Sequence, residues 1–458
     1  MTVTTDLSTG HAGRRAVLSW ALFDWAAQPF FTLVTTFVFA PYFASALTET
    51  PEQGQSLWGY ATAAAGLAIA LTAPVLGSVA DATGRRKRWI LVFSIPFVLC
   101  CWAFWYAVPG SPYAIAIALA AFAIGTFSIE VATVFNNAMM PGLVPPSRIG
   151  RLSSFGWAMG YASGLVSLVI ALGFLAANPD TGRTLFGLEP AFGLNAATGG
   201  GDRAVGPLSA LWYLVFVLPM FLFVPDMPHQ AKIGSAIRAG LKNLAVSVSE
   251  ARENRNIFLF LLANMIFKDG LVALFAFGGI YAAGQLGWGA LEIGTFGIIL
   301  TVTGTLGLLL GGPMDDRFGA KSVIVFSLIV LMICGLGMIS VDRTTIFFVI
   351  KTQAAPDGAL LASLPERTFI VLGAVIGAVS GPLQAACRSL LIRLAPAGNM
   401  TQYFGLLALS GKVTSFLAPL TVGVVTALTN SQPAGMSVIL VFFALGLALL
   451  LKVREERD

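Results

Sequence analysis

Apolar runs of eighteen residues or more recur along the whole chain, and nothing else constrains its fold as much. A backbone in lipid must satisfy its own hydrogen bonds, which leaves helices or closed barrels. These runs are too long and too uniformly apolar for barrel strands, whose side chains alternate. The chain is therefore read as an all-α, polytopic membrane protein, consistent with 57% hydrophobic and 11% charged residues and a mean hydropathy of +0.82. Twelve spans are predicted, at 16–46, 56–80, 89–108, 112–143, 152–177, 206–225, 257–284, 290–313, 320–341, 367–394, 402–428 and 434–452. Arg14 and Arg15 precede the first run, but its length and Asp24 argue for a retained span over a cleaved signal.

The net charge of +5 reflects loop placement and is no nucleic-acid signal. Arg14, Arg15, the Arg85–Arg88 cluster, Arg148, Arg151, Arg252, Arg255, Arg317, Lys321 and Arg454 fall in one set of loops. Few cations fall in the other set, and both termini are therefore expected in the cytoplasm. Cys100, Cys101, Cys334 and Cys387 lie in or beside apolar spans without metal spacing, and read as small buried residues. His11 and His229 fall in loops, so no histidine chemistry is expected within the spans, and neither metal nor cofactor is expected.

One loop occurs twice. Gly77-Ser-Val-Ala-Asp81-Ala82-Thr83-Gly84-Arg85-Arg86 returns, degraded, as Gly312-Pro-Met-Asp-Asp316-Arg317-Phe318-Gly319-Ala320-Lys321. The offset is 235 residues both from Asp81 to Asp316 and from Gly84 to Gly319. Asp24 likewise answers to Asp269, and Leu143 through Gly156 parallels Leu394 through Gly405. Two related six-span bundles follow, 1–225 and 257–458, arranged as parallel repeats, with 226–256 as a linker. Within the linker Ile233, Ile237, Leu241, Leu244 and Val248 share a face, which suits either a helix on the inner leaflet or a solvated linker helix.

The doubled loop resembles the signature between spans 2 and 3, and 8 and 9, of major facilitator superfamily transporters. The first span, Ser-Trp-Ala-Leu-Phe-Asp-Trp-Ala-Ala-Gln-Pro-Phe-Phe, and the segment 134–161 are similar to the vacuole-effluxer-like, or unknown major facilitator, branch. The resemblance implies that spans 1, 4, 7 and 10 line a cavity, that spans 5 and 8 meet across the halves, and that Asp81 lies near span 11. It carries no substrate for this chain, although the best-studied eukaryotic members of the branch export amino acids from vacuoles. Asp81, Gly84, Arg85, Arg86, Asp316 and Arg317 would then gate the cytoplasmic side, Asp81 meeting a helix N-terminus or Arg148 and Arg151. Ala82 and Ala320 stand where a cation is usual, which would weaken a latch on either side.

Each charge at bilayer depth costs about 2.5–3.5 kcal/mol unless paired or hydrated, so such charges mark sites. Asp24, Glu130, Lys268, Asp269 and Lys412 lie on the order of 12–20 Å from a helix end, near mid-span. Thr126, Glu130, Thr133 and Asn137 form one polar stripe on span 4; Asp24, Gln28, Thr32 and Thr35 form another on span 1. Asn264 and Lys268 pair at helical spacing on span 7, and Gln384 and Arg388 on span 10. The N-terminal half thus supplies the acids Asp24 and Glu130, and the C-terminal half the cations Lys268, Lys412 and Arg388, with Asp269 beside Lys268. This suits a ligand carrying both charges, or ion pairs between the halves, which would act as switches more than as glue. Glu130 or Asp24 would be the proton-coupling carboxyl, with sodium as the other coupling cation. The glycines at 156, 160 and 164 of span 5, and Gly297, Thr301 and Gly304 of span 8, allow close helix approach.

The expectation is a secondary transporter, not an enzyme, that moves a small polar, zwitterionic, amino-acid-like solute by alternating access. The alternative is an exporter of amphiphilic or cationic drug-like compounds. The partners expected are that solute, membrane lipid and a coupling proton or cation, with no nucleic acid, and the chain is expected to be a monomer. In a bacterium its place would be the plasma (inner) membrane.

Overall fold

The structure, a computed structural model, describes residues 12–49, 51–177, 182–226, 254–288, 290–352, 363–396 and 400–455. Residues 227–253 of the linker expected at 226–256, with its amphipathic face, lie outside the described residues. The regular structure of the described residues is helical, apart from a short hairpin pairing Thr345 with Lys351 and Ile346 with Ile350 and an isolated bridge between Ala177 and Thr184. Among the described residues eleven helices are long and apolar enough to cross a membrane. They match spans 1 to 10 and span 12, among them Arg14–Leu47, Arg86–Tyr106, Ala114–Gly142, Pro146–Leu175, Arg255–Leu286, Leu364–Leu394 and Gln432–Leu451.

Span 11 departs from expectation. A continuous helix was predicted at 402–428, but the structure has Met400–Ser410 and Leu417–Thr429 with turns between them. The cause is local. Pro419 lacks the N–H that would bond the carbonyl of Ser415, and its ring crowds that carbonyl. Placed in the first turn of a new helix, the same proline costs nothing. Across the gap the backbone uses shorter-range bonds, such as Ser415 N to Lys412 O and Leu417 N to Thr414 O at 2.7 Å.

Two compact units account for the chain: residues 1–145 with 159–242, and residues 146–158 with 243–458. The first three turns of span 5 therefore belong with the C-terminal spans, while the rest of that helix belongs with the N-terminal ones.

In the first unit an aromatic cluster joins spans 1, 3 and 6. Phe30 packs edge-on against Phe97, Phe97 against Tyr213, and Tyr213 shares a 2.7 Å hydrogen bond with Ser94. Trp20 Nε1 donates to Asn136 O at 2.8 Å, tying span 1 to span 4. Lipid tails offer no hydrophobic gain for helix association, so such packing and hydrogen bonds must supply it. Span 1 is not a regular helix throughout. After Pro29 the residues Phe30–Phe37 form a wider, i→i+5 coil that ends in a kink at Val38.

In the second unit spans 8 and 10 approach closely through small residues. A Cβ at Gly307 would collide with the carbonyl of Ala378, and one at Gly311 would fall 2.6 Å from Pro382 Cβ. Span 12 lies along span 7, with Gly446 against Phe267 and Gly270 against Phe442 and Phe443.

Candidate functional site

Both copies of the repeated loop fold alike. Span 2 ends at Thr83 and span 3 begins at Arg86; span 8 ends at Phe318 and span 9 begins at Ala320. Between them Gly84 and Gly319 take φ of +73° and +91°, a turn that costs a side-chain-bearing residue more. Gly84 N bonds Ala80 O, and Gly319 N bonds Asp315 O, at 2.9 and 2.8 Å. In the first copy Arg86 is buried and donates to Ala138 O at 2.9 Å, and Lys87 Nζ donates to Val224 O at 2.6 Å. These contacts tie the start of span 3 to the ends of spans 4 and 6. Arg85 is half-buried, and the side chain of Asp81 lies outside the described residues.

The second copy forms a clasp. Asp316 Oδ1 accepts from the backbone N–H groups of Gly150 and Arg151, at 2.9 and 3.3 Å, and Oδ2 pairs with Arg151 Nε at 3.1 Å. A carboxylate thus caps the N-terminus of the span 5 helix, where unpaired amides and the helix dipole favour negative charge. Arg151, expected near Asp81, is taken by Asp316, while Arg148 is exposed. Arg317 points outward and lies over the Phe318 ring. One turn further along span 5, Ser153 Oγ donates to Ala385 O at 2.7 Å and accepts from Arg388 Nε at 3.0 Å. Arg388 Nη2 also donates to Ser153 O, and its guanidinium lies 5.5 Å from the Trp157 ring centre. The structure thus places Arg388, read from the sequence as ligand-binding, buried against the first turns of span 5.

Residues that sequence reasoning did not single out complete this end of the unit. Arg393 bridges Asp315 at 2.7 Å and Glu455 at 2.6 Å. Glu455 also accepts from the first amides of span 9, Ala320 N and Lys321 N, both at 3.0 Å. Lys321 Nζ returns the contact to Leu451 O and Val453 O at the end of span 12. The tandem Asp315-Asp316 was the available signal, since two adjacent acids on a helix cannot serve the same partner.

The mid-span charges fall into two groups. In the first unit Asp24 and Gln28 sit against Gly160, where a Cβ would lie 3.8 Å from Asp24 Cβ and 3.5 Å from Gln28 Oε1. Gln28 Nε2 donates to Thr32 Oγ1 at 3.4 Å, so the polar stripe of span 1 faces the small residues of span 5. Glu130 and Asn137 are half-buried on span 4. In the second unit span 7 directs three polar side chains at the gap in span 11. Asn264 Nδ2 donates to Ser410 Oγ at 2.9 Å; Lys268 Nζ lies against Gly411, where a Cβ would come within 2.7 Å of it; and Asp269 faces Thr414. Asp269 is 1% exposed. Lys412 is half-buried within the gap itself. Gln384 is set apart, turned toward Ser380 O on its own helix.

The family described as vacuole effluxer Atg22-like matches residues 47–458. An uncharacterised MFS-type transporter of Bacillus subtilis (strain 168), YxiO, is 23% identical over 444 residues, covering 96% of this chain and 94% of its own. Autophagy-related protein 22-1 of Neosartorya fischeri is 28% identical over 335 residues, covering 67% of this chain. The chain spans about half, 49%, of that fungal relative's length. Among solved structures, the major facilitator transporter FucP in its outward conformation superposes with a TM-score of 0.70 at 16% identity, covering 96% of this chain and 99% of its own. The proton:xylose symporter XylE superposes with a TM-score of 0.68 at 13% identity, covering 96% and 95%. At those identities the two structures share its fold and nothing finer.

Proposed function

This chain belongs to the vacuole effluxer Atg22-like family of major facilitator transporters, and we propose that it carries a small zwitterionic, amino-acid-like solute by alternating access. It is an integral multi-pass membrane protein and a transporter, not an enzyme. The observation that carries the solute class is the segregation of mid-span charge. Asp24 and Glu130 belong to the first unit, which has no cation at that depth, whereas Lys268 and Lys412 belong to the second, with Asp269 beside Lys268. A ligand's ammonium would be held by the acids and its carboxylate by the cations, each contact charge-assisted. Both termini lie in the cytoplasm on this reading, because the loops at that end hold most of the Lys and Arg. The clasp around Asp316 is then a cytoplasmic gate, and its release frees the first turns of span 5. The chain acts as a monomer and couples transport to a cation.

The test is a thermal-shift screen of purified protein against amino acids, peptides, sugars and lipophilic cations. Zwitterions should stabilise the wild type, and Glu130→Gln and Lys412→Met should each lose that shift while the protein remains folded. A zwitterion shift retained in both variants would exclude the site. One observation favours a second reading. Trp25 stacks on Trp212 at 6.0 Å beside Asp24, an aromatic and acidic pairing suited to a drug-like cation. Stabilisation by lipophilic cations, unaffected by Lys412→Met, would select it.

A further inference from the structure

Span 11 is broken at the level where span 7 carries its charges, and the buried acid there has an oxygen with no donor. Asp269 is 1% exposed, and its Oδ1 has no hydrogen-bond partner among the described residues. Thr414 Oγ1 faces the carboxylate but is itself outside hydrogen-bond geometry. Lys268, next in sequence, supplies the nearest positive charge and reaches to Gly411. Asp269 therefore stands between a cation and a hydroxyl, bonded to neither through Oδ1, beside a backbone that is not helical over 411–416. Ionised carboxylates are rarely left this way at bilayer depth, because an undonated charged oxygen away from water is costly.

We propose that Asp269 is the group that binds and releases the coupling proton, and that the broken segment 411–416 of span 11 responds to its protonation. This rests on the transporter reading above and names its coupling site. Oδ1 takes a proton from water on one face and returns it to water on the other; only an O–H bond forms and breaks. When ionised, the carboxylate is held by the charge of Lys268. When protonated, it no longer needs that charge, and its new O–H can donate to Thr414 Oγ1, drawing the break toward span 7. A two-state element biased in this way is what coupling requires. A proton suits the site better than a metal ion, since a metal cation would need several oxygens and would meet the ammonium of Lys268.

The neighbouring charges are few. Span 7 itself adds Lys268, the gap adds Lys412, segment 400–410 adds the buried Tyr403, and span 10 adds Cys387, its Arg388 being turned to Ser153 of span 5. The segments 417–429 and 432–451, which also pack on span 7, contain no titratable residue. On span 8 the acids Asp315 and Asp316 belong to the clasp at the helix end.

Infrared difference spectra of the purified full chain, with aspartate carboxyls labelled by carbon-13, would read protonation directly. Hydrogen exchange of the 411–416 amides across the same pH series would read the response. The expected result is an aspartic acid band that titrates in the wild type and is lost in Asp269→Asn. Exchange at 411–416 should change through the same pH range, and not in that variant. Persistence in Asp269→Asn of every titrating aspartic acid band that the wild type shows overturns the proposal, as does exchange at 411–416 that ignores pH in the wild type. A change in that exchange caused by replacing choline with sodium at fixed pH, and lost in Asp269→Asn, assigns the site to a metal cation and overturns the proton. If Asp269→Asn does not fold, Asp269→Glu carries the test: the labelled band should be replaced by a titrating band at the unlabelled carboxyl frequency, and a labelled band left unchanged overturns the assignment. Neither readout uses transport, so failure here leaves the solute reading to its own thermal-shift test.

Discussion

Replacing Asp316 should loosen the start of span 5 by an amount that its contacts allow to be worked out. Its carboxylate makes two backbone hydrogen bonds to Gly150 and Arg151, the arrangement of an N-cap, whose loss costs about 0.5–2 kcal/mol. Negative charge at the helix N-terminus adds about 0.3–1 kcal/mol. The ion pair to Arg151 adds little, because the Arg151 side chain is 60% exposed and solvent screens it. Asp316→Asn keeps an acceptor and loses the charge, for about 1 kcal/mol; Asp316→Ala loses both, for about 2 kcal/mol. Those values correspond to roughly fivefold and thirtyfold more of the unclasped state. Ser154 is 3% exposed and faces Gly312 across the clasp, so it reports opening. In a background with the four native cysteines replaced, Ser154→Cys should react with a water-soluble maleimide faster by those factors, provided closing outpaces labelling. Arg151→Ala should change the rate by about twofold or less. Equal rates in wild type, Asp316→Asn and Asp316→Ala would refute the clasp. So would an Arg151→Ala effect as large as that of Asp316→Ala, because the helix cap would then not be the main contact.

Other perturbations test the frame around it. Arg393→Met leaves the Asp315 side chain, 1% exposed, without its cation; thermal unfolding should show a loss of about 3–5 kcal/mol, largely recovered by adding Asp315→Asn. On span 8, Gly307→Ala should destabilise by about 1–3 kcal/mol because its Cβ meets the backbone of Ala378. Gly297→Ala on the same helix, with nothing within 4 Å, should be neutral or stabilising by up to about 1 kcal/mol. At the hairpin, hydrogen bonds from Thr344 hold the Asp342 carboxyl below its ordinary value of 3.8. A carboxyl depressed in the folded state stabilises above its unfolded value and stops doing so as pH falls through its folded one. Protection of the Thr344 amide, corrected for intrinsic exchange, should therefore drop on acidification below about pH 3.8, and Asp342→Asn should remove the dependence.

The spans were legible because lipid leaves the backbone one solution, so run length alone announces a helix. The repeat was legible because Gly84 and Gly319 must each take a left-handed turn between helices. The break in span 11 was hidden by the same averaging that reveals spans: Val413 and Phe416 keep the window apolar across Gly411, Lys412 and Thr414. Pro419 was the one local sign. The clasp was hidden for a different reason. Nothing near Asp316 in sequence indicates that its partner lies 166 residues away at Gly150, and a loop motif specifies a turn, not the helix it will cap. Glu455 carried even less signal, as one acid in the charged run Arg454-Glu455-Glu456-Arg457.

The two halves solve one contact in opposite ways. In each, the acid of the first span, Asp24 or Asp269, faces the fifth span of its half. In the register that pairs Phe155-Gly156 with Phe404-Gly405, Gly160 and Gly164 fall opposite Leu409 and Val413. Glycine lets span 5 stay helical while coming against Asp24, Gln28 and Thr32: a Cβ at Gly164 would lie 2.5 Å from Thr32 Oγ1. With leucine and valine at those positions span 11 has no such room, and it meets span 7 at the non-helical stretch 411–416 that precedes Pro419. The price is backbone polarity at bilayer depth, which persists only where polar partners meet it. Asn264, Lys268 and Asp269 bring polar side chains to that segment, Asn264 through its bond to Ser410 Oγ. A rigid, glycine-lined contact in one half and a broken, charge-lined contact in the other make unequal partners, so a change in charge should move span 11 far more readily than span 5. That inequality, more than the presence of acids in both halves, is the reason to look for coupling at Asp269 first and at Asp24 second.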